Sequence, residues 1–152
     1  MAVSIDRLKK LRKESGAGIA DCRKALEDAN GDLVRAREIL VQRGLEKASE
    51  KAGKETSQGI VTSYVHATQR IGVLVEVKCE TDFVARTDEF QLLAHEIALQ
   101  VAAMSPKDVS ELLASVYIRD PNTTVDSLIR ACVVKVGENI TVGRFVRIEL
   151  GK

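Results

Sequence analysis

The chain is poor in cysteine, poorer in aromatic residues for its size, and almost without net charge. Its three cysteines, Cys22, Cys79 and Cys132, lie far apart and form no CxxC pair. A sparse, odd set of this kind argues against a disulfide framework or a zinc site and points to a reducing, cytoplasmic setting. Tryptophan is absent, and the aromatics are three Phe and two Tyr. That leaves almost nothing on which nucleic-acid bases could stack. The net charge is only +1, so no strongly basic surface is expected and direct nucleic-acid binding is not predicted. No apolar run approaches the ~20 residues of a membrane helix. The opening stretch MAVSIDRLKKLRKES places a charge every few residues, so neither a secretory signal nor a membrane partner is expected.

Recognisable catalytic patterns are missing as well. His95 precedes Glu96, but the residue four after His95 is Leu99, so there is no HExxH zinc site. His66 falls in a turn. Gly16-x-Gly18 continues into Ala20-Asp21 and follows a helix, unlike a dinucleotide-binding loop. Neither GxxxxGK[ST] nor GxSxG occurs. Asp88 and Glu89 are adjacent at a helix start, where the helix dipole accounts for them without catalysis. The expectation is a protein that is not an enzyme, with no catalytic residues, no metal site and no cofactor.

What is present is an ordinary soluble composition, 45% hydrophobic and 30% charged, unevenly arranged. Residues 1–54 carry a net charge of +4 and residues 55–152 a net of −3. This asymmetry suggests two modules. The first reads as three short helices. One covers 4–14, with Ser4 as cap and Ile5, Leu8 and Leu11 on one face. The second covers about 19–29, with Ile19, Cys22, Ala25, Leu26 and Ala29 on one face. The third starts after the Asn30-Gly31-Asp32 turn, with Asp32 as cap, and runs to about Gln42, where Gly44 is expected to stop it. Residues 45–57 then read as a solvated helical linker.

The second module, residues 58–152, changes period. Residues 59–65 and 71–79 are β-branched runs expected to pair as an antiparallel hairpin. In the second run Val73, Val75, Val77 and Cys79 share one face. A long helix is predicted from Thr87, its cap, to Met104, with Phe90, Leu93, Ala94, Ile97, Val101 and Met104 as the buried stripe. Pro106 is expected to open a short helix to about Leu113. A helix over 125–136 and a third strand over 141–150 follow. The fold class is therefore α+β: a three-helix bundle, a linker helix, then a small antiparallel three-stranded sheet packed with helices.

Three segments, in order, resemble one family. Leu11 to Asp32, LRKESGAGIADCRKALEDANGD, is similar to the N-terminal signature of elongation factor Ts. Glu76 to Arg86, EVKCETDFVAR, resembles that family's E-V-x-C-x-T-D-F-V-A-[KR]. Lys135 to Ile140, KVGENI, matches its closing K-[IV]-G-E-N-[IV]. The resemblance implies a ubiquitin-associated-like module at 1–44 and a single core subdomain of the dimerisation type. Here only Ser105 to Asn122 separates the long helix from the final helix and strand, whereas many family members carry a longer helical insertion. Short members pair, so a homodimer is expected, and a three-stranded sheet with exposed edges gives a physical motive for it.

By the same resemblance the chain is a guanine-nucleotide exchange factor acting on GDP-bound elongation factor Tu. It would promote GDP release by disturbing the partner's Mg2+ and phosphate site, after which GTP rebinds. Thr81, Asp82, Phe83 and Val84 would dislocate that Mg2+, with Phe83 as the wedge. Arg12, Ile19 and Ala20 would form a second partner contact. Read from the residues alone, Thr81 or Asp82 is a helix cap and Phe83 a core residue. Ile19 reads equally as internal packing, and Arg12 as a solvated charge.

Overall fold

A computed structural model describes residues 2–152. The chain divides into two compact units, Met1–Ser49 and Glu50–Lys152.

The first unit is helical because its apolar residues recur at helical spacing and its turns carry the residues that turns require. Helix α1 (Ile5–Ser15) ends at Gly16, whose φ of 68° lets its N–H reach back to the Arg12 carbonyl. Helix α2 (Ile19–Asp28) ends in a turn with Asn30 at φ 52° and Gly31 at φ 83°. Arg7 Nη1 closes that turn by donating to the Gly31 carbonyl at 2.6 Å. Helix α3 (Leu33–Lys51) starts at Asp32, whose Oδ1 accepts from the N–H groups of Val34 and Arg35. Leu11, Cys22, Ala25, Leu26, Ala29 and Ala36 form the core of this unit.

Three local expectations are corrected here. Ser4 stands at the cap position of α1, but its side chain makes no capping bond. Ile19 is 55% exposed, while the other apolar residues predicted on its face are buried. Gly44 does not end α3, which runs on to Lys51. Mid-helix glycine costs only about 1 kcal/mol, and the Ala- and Lys-rich stretch that follows is good helix material.

In the second unit, strands β1 (Gln58–Val65) and β2 (Ile71–Cys79) pair antiparallel, with Ile60 opposite Val77 and Tyr64 opposite Val73. Strand β3 (Ile140–Glu149) pairs antiparallel with the other edge of β2, so the order is β1-β2-β3. The register slips between Val75 and Val77 because β3 carries an extra residue there. Glu76 satisfies the bulge: its Oε1 accepts from the Arg144 N–H at 2.8 Å and from Arg144 Nε at 2.9 Å. Those bonds, side chain first, hold the Glu76 carboxyl down at about 2. Val73, Val75, Val77 and Cys79 are buried on one face of β2 as predicted. Val61, Val65, Leu74, Val146 and Ile148 remain exposed.

Two short helices follow β2 and the long one. Helix α4 (Asp82–Ala85) is a single turn, and α5 (Asp88–Met104) packs across β1 and β2. Thr87 caps α5 by accepting from the Phe90 N–H. Phe90, Leu93, Ala94, Ile97 and Val101 are buried, whereas Met104, the last helical residue, is half exposed. Helix α6 (Val109–Ala114) does not open at Pro106. It opens after Asp108, whose Oδ1 accepts from the Glu111 N–H at 2.8 Å; a side-chain cap outranks the proline signal. The buried Gln100 ties residues 115–118 to α5 through the Val116 carbonyl and the Ile118 N–H. Helix α7 (Val125–Val136) lies beside α5 and leads into β3.

Candidate functional site

The segment Thr81-Asp82-Phe83-Val84 leaves the end of β2 and turns at once into α4. The turn forms because Thr81 is extended, at φ −126° and ψ 157°, and its Oγ1 accepts from the Val84 N–H at 3.3 Å. One helical turn then splits the segment by direction. Val84 and Ala85 point inward and are buried, while Asp82 is exposed and Phe83 is 76% exposed. Thr81 is therefore a cap, but the core role for Phe83 is excluded. Burying a Phe side chain is worth about 1.5–3 kcal/mol. At Phe83 the fold leaves that gain uncollected.

The base of this tip is tied on both sides. Glu138, in the turn between α7 and β3, accepts from the Thr81 N–H at 2.9 Å and from the Thr81 hydroxyl at 2.7 Å. On the far side, Thr87 Oγ1 donates to the Val84 carbonyl at 2.8 Å and Gln91 Nε2 donates to the Ala85 carbonyl at 2.7 Å. Cys79 Sγ, fully buried, donates to the Thr81 carbonyl at 3.1 Å. Burial first, and then the Glu138 carboxylate, pushes that thiol up, which keeps it a neutral donor. Asp82 pairs with Arg86 at 2.8 Å, but both side chains are solvated and such pairs contribute little.

The second set of candidates lies in the other unit. Arg12 near the end of α1, and Ile19 and Ala20 at the start of α2, are all exposed. Ile19 follows Gly18, an N-cap of extended backbone with no side-chain bond to the helix. This exposure removes internal packing as the account of Ile19. Two residues that brace the tip, Glu138 and Gln91, were not singled out from the sequence. Glu138 lay within a quoted motif, but nothing local says what a carboxylate 57 positions from Thr81 will touch. Among the described residues no cluster of three His, Cys, Asp or Glu side chains could hold a metal ion, and no helix is long and apolar enough to cross a membrane.

Fold and site define an α+β protein that presents a braced apolar tip on its surface. The family model described as Elongation factor TS matches residues 80–152. Over the full length, the chain is 43% identical to the Elongation factor Ts of Thermotoga maritima, covering 100% of this chain and 98% of the relative. It is 40% identical to the Elongation factor Ts of Fervidobacterium nodosum and 40% identical to that of Coprothermobacter proteolyticus, covering 100% of each chain in both cases. These alignments run over 195 to 197 positions against 152 residues here, so the relatives carry residues that this chain lacks. The chain belongs to the elongation factor Ts family and is a translation elongation factor.

Proposed function

We propose that the protein is a guanine-nucleotide exchange factor that binds GDP-bound elongation factor Tu in the cytoplasm and speeds GDP release, so that GTP can rebind. A nucleotide held at nanomolar affinity is bound by about 12 kcal/mol. A factor that speeds its release does so by binding the distorted partner better than the undistorted one, and nucleotide and factor weaken each other reciprocally. Thr81-Asp82-Phe83-Val84 is assigned to that distortion. Phe83 inserts as the wedge that disturbs the Mg2+ and phosphate site, Asp82 supports it, and Thr81 and Val84 anchor the turn that carries it. Arg12, Ile19 and Ala20 are assigned to a second contact, made by a three-helix module of the ubiquitin-associated type. The chemistry stays on the partner, and the factor needs no cofactor or catalytic residue of its own.

The observation that carries this reading is the exposure of Phe83 on a turn hydrogen-bonded at both ends. A large aromatic anchor on a stiff mount is the kind of residue that dominates a protein interface, worth about 2 kcal/mol or more. The exposed sheet residues Val61, Val65, Leu74, Val146 and Ile148 support the further assignment of a homodimer that covers this face. Stopped-flow release of a fluorescent GDP from purified elongation factor Tu tests the activity. Acceleration by the added factor is expected, and a release rate indifferent to it would sink the proposal. Light scattering at micromolar concentration tests the dimer, for which a mass near 16.6 kDa would be the wrong answer.

A further inference from the structure

The motif Gly137-Glu138-Asn139 sits far from Phe83 in sequence and enters the exchange reading above only as one brace of the tip. In the fold it lies directly under the tip. Gly137 ends α7 with φ 77°, a left-handed conformation that turns the chain toward the end of β2. Asn139 is 6% exposed and fixes the turn from below. Its Nδ2 donates to the Lys54 carbonyl at 2.8 Å and to the Ala52 carbonyl at 3.3 Å, and its N–H donates to Glu80 Oε1 at 2.8 Å. Between these two residues Glu138 presents both carboxylate oxygens to Thr81. The two loops are thus crossed: Glu138 of one grips Thr81 of the other, and Glu80 of the second grips Asn139 of the first.

We propose that Glu138 is the positioning residue of the exchange tip, acting through Thr81 to set the direction in which Phe83 leaves the surface. The proposal rests on the exchange reading for its kinetic consequence. The chemistry requires a carboxylate. Thr81 offers two donors, N–H and O–H, and each meets its own oxygen of the Glu138 carboxylate, a match that two acceptor oxygens on one planar group provide. Donation to Glu138 also orients the Thr81 hydroxyl, leaving its lone pair for the Val84 N–H, which is the cap bond of α4. With the hydroxyl free to turn, that bond loses its oriented lone pair, and the N-terminal side of the turn is left with the bonds to the Thr81 carbonyl, from the Ala85 N–H at 3.3 Å and from Cys79 Sγ at 3.1 Å. Glutamine in place of Glu138 carries one acceptor oxygen instead of two, so either its NH2 faces the Thr81 N–H, which then loses its acceptor, or it faces Oγ1, whose proton must turn away from residue 138.

The test uses the full chain. Glu138→Gln is expected to lower the maximal nucleotide-release rate about tenfold, with the half-saturating concentration little changed. In a Phe83→Ala background the same substitution is expected to change the rate by less than about twofold, because the group it acts through is gone. A wild-type rate in Glu138→Gln, or an undiminished penalty in the Phe83→Ala background, overturns the proposal. Amide hydrogen exchange gives a readout independent of the partner. Glu138→Gln should deprotect the Thr81 and Val84 amides by on the order of tenfold while the Val75 amide of β2 keeps its protection. Unchanged protection at Thr81 and Val84 overturns the clamp whatever the nucleotide kinetics show. If the wild-type factor accelerates nothing, the exchange reading fails, and the hydrogen-exchange result alone decides the clamp.

Discussion

Two exposed apolar sites, each on a different unit, are mounted in opposite ways. Phe83 stands on one turn of helix held by side chains from Glu138, Thr87 and Gln91. Ile19 stands at the start of α2 after a glycine cap with no side-chain support. The difference in mount bears on what each can do to a partner. A braced side chain can push, because the force of insertion is carried into the sheet and α5. A side chain at an uncapped helix start adds contact area and little stiffness. On the proposed exchange reading, the tip would govern how fast a bound partner is distorted, and the helix start how much factor is needed to bind it.

The largest expected effect calibrates the contrast. Phe90 and Phe83 are the same residue type seven positions apart, and Phe90 is fully buried where Phe83 is 76% exposed. Phe90→Ala should cost about 3–5 kcal/mol of stability in denaturant unfolding. Phe83→Ala should stay within about 0.5 kcal/mol of the wild type. A large loss on removing Phe83 would mean that it packs, and the comparison with Ile19 would collapse. Next in size, Phe83→Ala should lower the maximal release rate roughly 30-fold, the equivalent of about 2 kcal/mol. Ile19→Ala should instead raise the half-saturating concentration about fivefold, near 1 kcal/mol, and leave the maximal rate alone. A fall in the maximal rate with Ile19→Ala would show that both sites push.

Smaller effects sharpen the point about mounts. Thr87→Ala removes a side chain that accepts from Phe90 and braces Val84, and should cost about 1 kcal/mol. Ser4→Ala removes a cap residue that makes no side-chain bond and should be nearly silent in the same unfolding experiment. A last effect is in acid. Glu76 is held at about 2 by Arg144, below its unfolded value. Its stabilising contribution is therefore complete above the ordinary carboxylate range and is lost as pH falls toward about 2. In Arg144→Met the Glu76 carboxyl should titrate upward, nearer the usual range, by NMR. Titration still near 2 would show that Arg144 is not the cause.

Much of the fold was legible along the chain. The alternation of Val73, Val75, Val77 and Cys79 marked the inner face of β2, and the stripe from Phe90 to Val101 marked the inner face of α5. Thr87 and Asp32 were readable as caps because capping is a bond to residues two or three positions away. Gly44 and Pro106 misled for a related reason. Their effects are local preferences of at most a few kcal/mol, and a neighbouring cap or a longer helical stretch outweighed them. The tip was half legible: a cap at Thr81 or Asp82 followed from residue type and place, but the choice of Thr81 and the direction of Phe83 did not.

The sequence by itself determined the periodicities, the caps at Asp32 and Thr87 and the order of elements, because each depends on neighbours within about one turn or one strand pair. It also carried the three motifs that mark the family. Only the tertiary structure decided that Val84 turns inward and Phe83 outward, since that choice depends on which side of a single turn the sheet and α5 occupy. Only the tertiary structure brought Glu138 to Thr81 across 57 positions. That contact requires α7 to end at Gly137 and β3 to pair with β2 in one register, which are properties of the folded chain and of no local stretch of it.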